Sequence, residues 1–166
     1  TTGYSVNLGT LSTLVSSQDV VFLDQSSHAS LVDGARLSGT TPRFFRHNSA
    51  ESLERRLQSW RRDHDGGALV AVDGVYSMEG DVAPVAELAR VCNDLGARLL
   101  VDEAHALGLI GPDGAGTAAQ AGILPDLVMG TFSKSLASCG GFLAGSDGVI
   151  DFLKVACRPF LFTASG

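Results

Sequence analysis

The sequence predicts an α/β fold of three layers, in which a mainly parallel β-sheet lies between helices on both faces. Two observations lead to this prediction. Short apolar runs rich in β-branched residues alternate along the 166 residues with segments of helical periodicity, and strands separated by helices favour parallel pairing. The apolar parts of the runs are continuous rather than alternating, as is typical of strands covered on both faces. Because 45% of the residues are hydrophobic, the chain can bury a sizeable core.

Five segments are predicted to be strands, because their apolar parts are short, continuous and bounded by turn residues. The fifth segment has the shortest apolar part. In chain order the segments are VVFLD (20–24), ALVAVDG (68–74), RLLVDEAH (98–105), DLVMGTFSK (126–134) and GGFLAG (140–145).

Two segments between these strands are predicted to be helices. In NSAESLERRLQSW, Asn48 and Glu51 have the spacing of a capping box. In PVAELARVCNDLG, Pro84 is expected in the first turn and Gly96 is expected to end the helix. The apolar faces consist of Leu53, Leu57 and Trp60 in the first helix and of Val85, Leu88, Ala89, Cys92 and Leu95 in the second.

Composition and charge disfavour several classes of function. The net charge of −6 disfavours a nucleic-acid partner, because phosphate binding needs a basic face. No apolar run approaches the roughly 18 residues that span a bilayer, and the first residues do not have the pattern of a signal peptide. The three cysteines, Cys92, Cys139 and Cys157, have no metal-site spacing. We therefore expect a cytoplasmic protein with reduced thiols and no transmembrane segment.

Polar residues cluster where the predicted strands end. Ligands of open α/β sheets bind beyond the carboxyl ends of the strands, so these side chains are expected at one edge. Taken singly, each has an ordinary explanation as a helix cap, a turn residue, a satisfied histidine or a solvated lysine. Their common position indicates a site. The residues are His28 after the first predicted strand, Ser77 after the second, Asp102, Glu103 and His105 at the end of the third, and Thr131, Ser133 and Lys134 at the end of the fourth.

Lys134 is one of only two lysines in a chain that has ten arginines. A lysine can lose its proton and become a nucleophile, whereas an arginine cannot. A lysine amine forms Schiff bases with aldehydes, and a carboxylate keeps a nearby pyridine nitrogen protonated. Aromatic side chains stack on rings, and hydroxyls with backbone amides bind phosphate. These groups together suit the aldehyde cofactor pyridoxal 5'-phosphate (PLP), whose ring acts as an electron sink.

Three other functions are compatible with parts of this pattern. A metal-dependent hydrolase could use Asp102, His105 and His28, but it would leave Lys134 without a task. A PLP enzyme of another reaction type, such as an aminotransferase, would use the same residues. A catalytically inert homologue with a binding or structural role is the third alternative, and the presence of Lys134 speaks against it.

Two long segments carry a resemblance to a known family. VDEAHALGLIGPDGAG (101–116) and GTFSKSLASCGGF (130–142) resemble the α-oxoamine synthases, which are fold-type-I, PLP-dependent enzymes. The likeness covers nearly the whole chain. Within the family, RFFRHNS, GTFSKS and CRPFLFTAS are most similar to the serine palmitoyltransferases, whereas 8-amino-7-oxononanoate synthases more often have Gly or Ala before the lysine.

The resemblance implies a role for each matching residue. Lys134 would form the Schiff base with PLP, and Asp102 would pair with the pyridine nitrogen. The remaining residues would surround the cofactor. His28 would stack on the ring, His105 and Ser77 would lie near its phenolic oxygen, Thr131, Gly3 and Tyr4 would hold the phosphate, and Thr163, with Ser165 as a further candidate, would reach the phosphate of a neighbouring subunit. The resemblance thus implies a homodimer with shared active sites. It gives Glu103 no role.

The resemblance also implies a reaction. Family members join an amino acid to an acyl thioester with release of CO2. For this protein we expect serine, glycine or alanine as the amino acid and an acyl-CoA or acyl-carrier-protein thioester as the donor. GPDGAG lacks the Lys-Ser/Thr of a P-loop, so we interpret it as a tight turn.

The chain is shorter than the family members it resembles. Residues 1–166 are therefore expected to be the PLP-binding major domain in partial form, without the N-terminal segment and the small C-terminal domain. In the family, the arginine that binds the substrate carboxylate lies in that small domain. We therefore expect the 166 residues alone to be inactive, and Arg158 is the first substitute candidate if they are not.

Overall fold

Six strands form one sheet in the computed structural model, which describes residues 2–163. Their order across the sheet is β2-β1-β3-β4-β5-β6. All neighbouring pairs are parallel except β5 and β6, which are antiparallel. The predicted mainly parallel α/β class is therefore confirmed. The strands are β1 (Val20–Asp24), β2 (Arg43–Phe45), β3 (Ala68–Asp73), β4 (Arg98–Asp102), β5 (Leu127–Thr131) and β6 (Gly141–Gly145).

Helices cover both faces of this sheet. The two predicted helices are present as α3 and α4, and the others were not predicted. None of the helices described within residues 2–163 has the length and apolar character needed to cross a membrane. The helices are α1 (Gly3–Leu14), α2 (Ala29–Leu37), α3 (Ala50–Arg61), α4 (Val85–Asp94), α5 (Thr117–Gln120), α6 (Asp147–Ala156) and α7 (Arg158–Leu161).

Two apolar cores lie on opposite sides of the sheet, because successive strand residues point to opposite faces. On one face, Phe22 and Val70 pack with Trp60 of α3 and Leu88 of α4. The other core is formed with α1 and α2. It contains Leu11, Val21, Leu23, Leu31, Ala35, Ala71 and Leu100. The three-layer prediction is confirmed by this arrangement.

The strands end earlier than predicted, and one strand was missed. The third and fourth predicted segments were drawn to residues 105 and 134, but β4 ends at Asp102 and β5 ends at Thr131. The missed strand, β2, has only three residues and pairs with β1 at the edge of the sheet. The polar residues of the third and fourth segments therefore lie at, or in loops beyond, the carboxyl ends of the strands.

The predicted capping box at the start of α3 is wrong. The N-cap is Ser49, whose side chain accepts a hydrogen bond from the Ser52 amide at 3.2 Å. Asn48 has a φ of 51° and lies in the preceding turn, where its amide donates to Asp24 Oδ2 at 2.8 Å. The left-handed backbone at Asn48 is compatible with asparagine but not with a helix N-cap. The N-cap of α4 is Pro84, one residue before the first turn.

His47 joins two loops at the carboxyl edge of the sheet. Its Nδ1 lies 2.7 Å from Oδ1 of the buried Asp24, and its Nε2 lies 3.0 Å from Asp81 Oδ2. Partial burial lowers the pKa of His47, but the hydrogen bonds and charges of the two carboxylates outweigh burial and raise it. The imidazolium form thus ties the end of β1 to the loop that follows β3.

We predict that His47 makes the stability of the intact protein depend on pH. Because the folded state raises the pKa of His47, its contribution is complete below about pH 6.5, the value in unfolded chains, and is lost as pH rises through the folded value. Urea unfolding of His47→Gln across this range should therefore show a weaker loss of stability with rising pH. The control is His64→Gln, which removes a histidine that contacts the carbonyl of Trp60 rather than a carboxylate. Equal pH dependence in His47→Gln and the native protein would contradict the prediction.

Candidate active site

A cavity of about 290 Å³ opens at the carboxyl edge of the sheet. It lies beyond the ends of β3, β4 and β5, beside the first turns of α1 and α2. A larger cavity of about 810 Å³ lies at the opposite edge, where its walls include Val20, Ala68 and Arg98 from the starts of strands. The smaller cavity is the candidate site because seven of the nine predicted residues line it. These are Gly3, Tyr4, His28, Asp102, His105, Thr131 and Lys134.

Asp102 ends β4 and is 4% exposed. Its Oδ2 accepts a hydrogen bond from Asn7 Nδ2 at 2.6 Å, and its Oδ1 accepts one from the Ala104 amide at 2.9 Å. Asn7 lies in α1 and is 1% exposed. The two donors fix the orientation of the carboxylate.

Asn7 also connects Asp102 to His28. Its Nδ2 donates to Ser30 Oγ at 3.0 Å, and Ser30 Oγ lies 2.7 Å from His28 Nδ1. His28 is the N-cap of α2 and accepts a hydrogen bond from the Ser30 amide at 3.2 Å. Asp102, predicted to pair with the pyridine nitrogen, and His28, predicted to stack on the ring, are therefore positioned by one hydrogen-bond network.

Asp73 is a further acidic residue in the cavity wall. It ends β3, next to Asp102, and its Oδ2 accepts a hydrogen bond from the His28 amide at 2.9 Å. Burial and the neighbouring charge of Asp102 raise the pKa of Asp73 to about 8. Asp73 was not predicted as a site residue, although it ends β3 in the same way that Asp102 ends β4.

The start of α1 and the end of β5 approach closely on the other side of the cavity. The amides of Gly3 and Tyr4 lie in the first turn, where helix amides have no intrahelical acceptor and the helix dipole is positive. A Cβ atom at Gly3 would lie 2.9 Å from Thr131 Oγ1. Glycine is therefore required for this approach, which places two free amides beside the Thr131 hydroxyl. Ser133 Oγ lies 2.9 Å from the same hydroxyl.

Tyr4 contacts one residue of α2 and the N-cap of that helix. Its ring meets the ring of His28 edge-on, with 6.0 Å between centroids and 72° between planes. Its hydroxyl donates to Asp33 Oδ2. The Tyr4 side chain thus limits the movement of His28 from the open side of the cavity, a role that the sequence analysis did not assign.

Lys134 lies in the loop between β5 and β6, and its side chain is exposed. The loop is anchored by a hydrogen bond from Ser135 Oγ to the Leu107 carbonyl at 2.5 Å. Burial, together with the positive charge of Lys134, lowers the pKa of His105, and Asp102 opposes this shift only in part. His105 is therefore a neutral imidazole at neutral pH, beside a cationic amine.

Ser77 and Thr163 lie outside the cavity. Ser77 is an exposed residue of the turn after β3. Thr163 Oγ1 donates to the Pro159 carbonyl at 2.5 Å and lines a separate surface pocket near α7. Ser165, the further candidate for the neighbouring subunit, lies outside the described residues. The roles that the resemblance implies for these three residues remain predictions.

The metal-dependent alternative lacks a ligand set. Within residues 2–163, no three side chains of His, Cys, Asp or Glu are grouped so that they could hold a metal ion. Both carboxylate oxygens of Asp102 already accept hydrogen bonds from Asn7 and Ala104. Asp102 and His28 at this edge thus belong to one hydrogen-bond network with Asn7 and Ser30.

Glu103 has a structural role that the sequence did not reveal. It is 1% exposed, and its carboxylate accepts hydrogen bonds from the Thr117 amide, the Thr117 hydroxyl and the Ala118 amide at 2.8–3.0 Å. These donors form the first turn of α5. Gly116, with a φ of 105°, ends the GPDGAG turn, and a Cβ there would lie 2.6 Å from the Glu103 carboxyl carbon. The turn and the carboxylate are packed as one unit.

Comparisons with known proteins identify related sequences. Residues 1–166 match the family described as aminotransferase class I and II. A serine palmitoyltransferase from Caulobacter vibrioides is 49% identical over 99% of this chain, and an 8-amino-7-oxononanoate synthase from Alkalilimnicola ehrlichii is 46% identical over 99% of it. Both are α-oxoamine synthases, so the resemblance found in the sequence is confirmed.

A solved structure of a related protein has the same fold. It is a single-substitution variant of the serine palmitoyltransferase from S. paucimobilis with a bound PLP–myriocin aldimine, and it matches with a TM-score of 0.93 at 44% identity. The match covers 99% of this chain and 42% of that chain. The chain likewise spans 41% of the Caulobacter relative and 42% of the Alkalilimnicola relative. The fold-type-I prediction is confirmed.

We predict that Glu103→Ala destabilises the intact protein by about 2–4 kcal/mol, because it leaves buried donors of α5 without an acceptor. Chemical denaturation is the measurement. The matched control, Glu87→Ala, removes an exposed carboxylate from α4 and should change stability by less than about 0.5 kcal/mol. Equal stabilities of the two variants would show that solvent replaces the Glu103 carboxylate at no cost.

Proposed function

The chain belongs to the aminotransferase class I and II family, and on that premise we propose that the whole protein is a PLP-dependent acyltransferase of the serine palmitoyltransferase type. It condenses serine, glycine or alanine with an acyl thioester, releasing CO2 and the free thiol. One observation supports this proposal most strongly. A single cavity contains Lys134, Asp102, His28 and His105 at one end of the sheet, next to the first turn of α1.

The residues of the cavity fit PLP at both ends. The buried carboxylate of Asp102, oriented by two donors, suits a protonated pyridine nitrogen. The first amides of α1 and the hydroxyl of Thr131 suit a phosphate, and they come this close only because position 3 is glycine. We infer that Gly3, Tyr4 and Thr131 hold the phosphate and that Asp102 holds the ring nitrogen.

When bound, PLP supplies an electron-poor ring that accepts the electron pair left on the substrate α-carbon. Asp102 maintains this property by keeping the ring nitrogen protonated. His28 covers one face of the ring, held by Ser30 and Tyr4. His105, neutral because its pKa is lowered, is suited to a hydrogen bond with the phenolic oxygen, and Ser77 is proposed to approach the same oxygen.

Lys134 has two tasks in this proposal. Its Nζ would hold the cofactor by condensing with the aldehyde, with loss of water, and would be freed when the amine of the amino acid replaces it. The freed Nζ then removes the α-proton, for which an exposed amine in an anchored loop is well placed. The thioester carbonyl is attacked by the α-carbon, the thiol leaves, and CO2 is lost from the resulting β-keto acid.

The partners follow from the same proposal. The donor is an acyl-CoA or an acyl-carrier-protein thioester, and the protein is a cytoplasmic homodimer in which Thr163 serves the site of the neighbouring subunit. On this proposal, residues 1–166 are part of the PLP-binding major domain of the protein. An 8-amino-7-oxononanoate synthase activity is the second candidate, supported by the 46% identity to the Alkalilimnicola relative. A panel of amino acids and acyl chain lengths distinguishes the two.

We predict that borohydride reduction of the intact protein with PLP places a pyridoxyl label on Lys134, located by peptide mass mapping. Lys134→Ala should lose this label and the visible absorbance of the cofactor. Lys154→Ala is the matched control, since Lys154 is the other lysine of the chain and pairs with Asp151 on α6. A label on Lys154 in the native protein would overturn the assignment.

We further predict that the intact protein releases thiol from an acyl-CoA only when serine, glycine or alanine is present. Asp102→Asn should slow this release by about 10- to 100-fold, because a charge-assisted hydrogen bond contributes about 1.5–3 kcal/mol. Asp65→Asn, which changes an exposed loop carboxylate, is the control and should leave the rate unchanged. Thiol release that does not depend on an amino acid would contradict the proposed reaction.

A further inference from the structure

We propose that Asp73 is a positioning residue that shares a single proton with Asp102 while the cavity is empty and releases that proton when a cationic ring nitrogen lies against Asp102. The inference rests on the proposed function, since it concerns the site assigned to PLP. It adds a second carboxyl group to that site, with a protonation state opposite to that of Asp102.

The two carboxyl groups are neighbours by sheet geometry. Asp73 and Asp102 are register partners on the adjacent parallel strands β3 and β4. Both line the cavity, and they are 5% and 4% exposed. Two buried carboxylates on neighbouring strands repel each other, and the pair lowers its energy by keeping one proton.

Hydrogen bonding decides which carboxyl group keeps the proton. Asp102 has a donor on each oxygen, from Asn7 Nδ2 and the Ala104 amide. Asp73 has one donor, the His28 amide, on Oδ2. Donors stabilise the charged form, so Asp73, which has fewer donors, is the carboxyl group that keeps the proton.

The electrostatic surroundings agree with this assignment. Burial, the charge of Asp102 and the more distant charge of Asp24 raise the pKa of Asp73 to about 8, against the opposing effects of the His28 amide and Lys134. At about pH 7, a group with this pKa is mostly protonated. The titratable groups around Asp73 are Asp24 from β1, His28 from α2, Tyr76 from the loop after β3, Asp102 and His105 from β4 and its loop, and Lys134 from the loop after β5.

Binding of a cation beside Asp102 changes the protonation of Asp73. The positive charge offsets the repulsion from Asp102, which adds to burial in keeping Asp73 neutral, so the pKa of Asp73 falls and an Asp73 oxygen releases its proton to the solvent. The resulting carboxylate is a stronger acceptor for the His28 amide, because hydrogen bonds to charged groups are stronger than those to neutral groups. Asp73 therefore tightens the start of α2, and with it the His28 ring, when the site is occupied.

The test is calorimetric binding of pyridoxine 5'-phosphate to the intact protein freed of cofactor. This analogue has no aldehyde and cannot bond covalently to Lys134. Titrations in two buffers of different ionisation enthalpy, at about pH 7, count the protons released. The native protein should release more protons than Asp73→Asn, by up to about one, because contributions from the ligand cancel in the difference. Asp65→Asn should match the native protein, and inorganic phosphate, which fills only the phosphate end, should show no such difference.

A second measurement does not depend on folding of the Asp73 variant. Infrared difference spectra of the native, cofactor-free protein between about pH 7 and 9 should show the loss of a protonated carboxylic acid. Absence of this band would overturn the proposal, as would equal proton release by the native protein and Asp73→Asn. If the band is present but pyridoxine 5'-phosphate does not bind, the proton-sharing pair stands, while the PLP assignment and the coupling to it are both wrong.

Discussion

The hydrogen bond from Asn7 to Asp102 is the contact on which the rest of the site depends. It joins α1, on one face of the sheet, to the end of β4 in its centre. Through Ser30 the same amide group reaches the cap of α2 and therefore His28. Asn7, Ser30 and Asp102 are buried, so each depends on the others for its hydrogen bonds.

Several parts of this arrangement were predictable from the sequence. A strand ending in Asp is visible as an apolar run followed by an acid, and parallel strands bring such ends to one edge. This reasoning located Asp102, Thr131 and Lys134 at the same edge. It also supplied the fold class, because buried parallel strands have continuous apolar runs.

The remaining parts depend on tertiary contacts that leave no local signal. Helix α1 packs against α2, β5, β6, α6 and α7, so it has no single apolar stripe and was not predicted. Asn7 and Ser30 lie within such helices, where an Asn or a Ser is usually a neutral surface residue. The N-cap of α3 was mispredicted because Asn48 lies in a turn where its amide donates to Asp24. That contact depends on the position of β1, which ends at Asp24.

The antiparallel pairing of β5 and β6 has a consequence for Lys134. Thr131 and Gly141 face each other across the two strands, so the intervening loop leaves and rejoins the sheet at the same edge. Each connection between parallel strands instead carries the chain from the carboxyl edge of the sheet back to the opposite edge, where the next strand begins. The loop is a short tether with both ends fixed side by side, so the lysine loses little chain entropy on ordering. The distance that the Lys134 amine can reach depends on the length of this loop. Insertion or deletion of a residue in the loop therefore changes that distance while leaving the sheet intact.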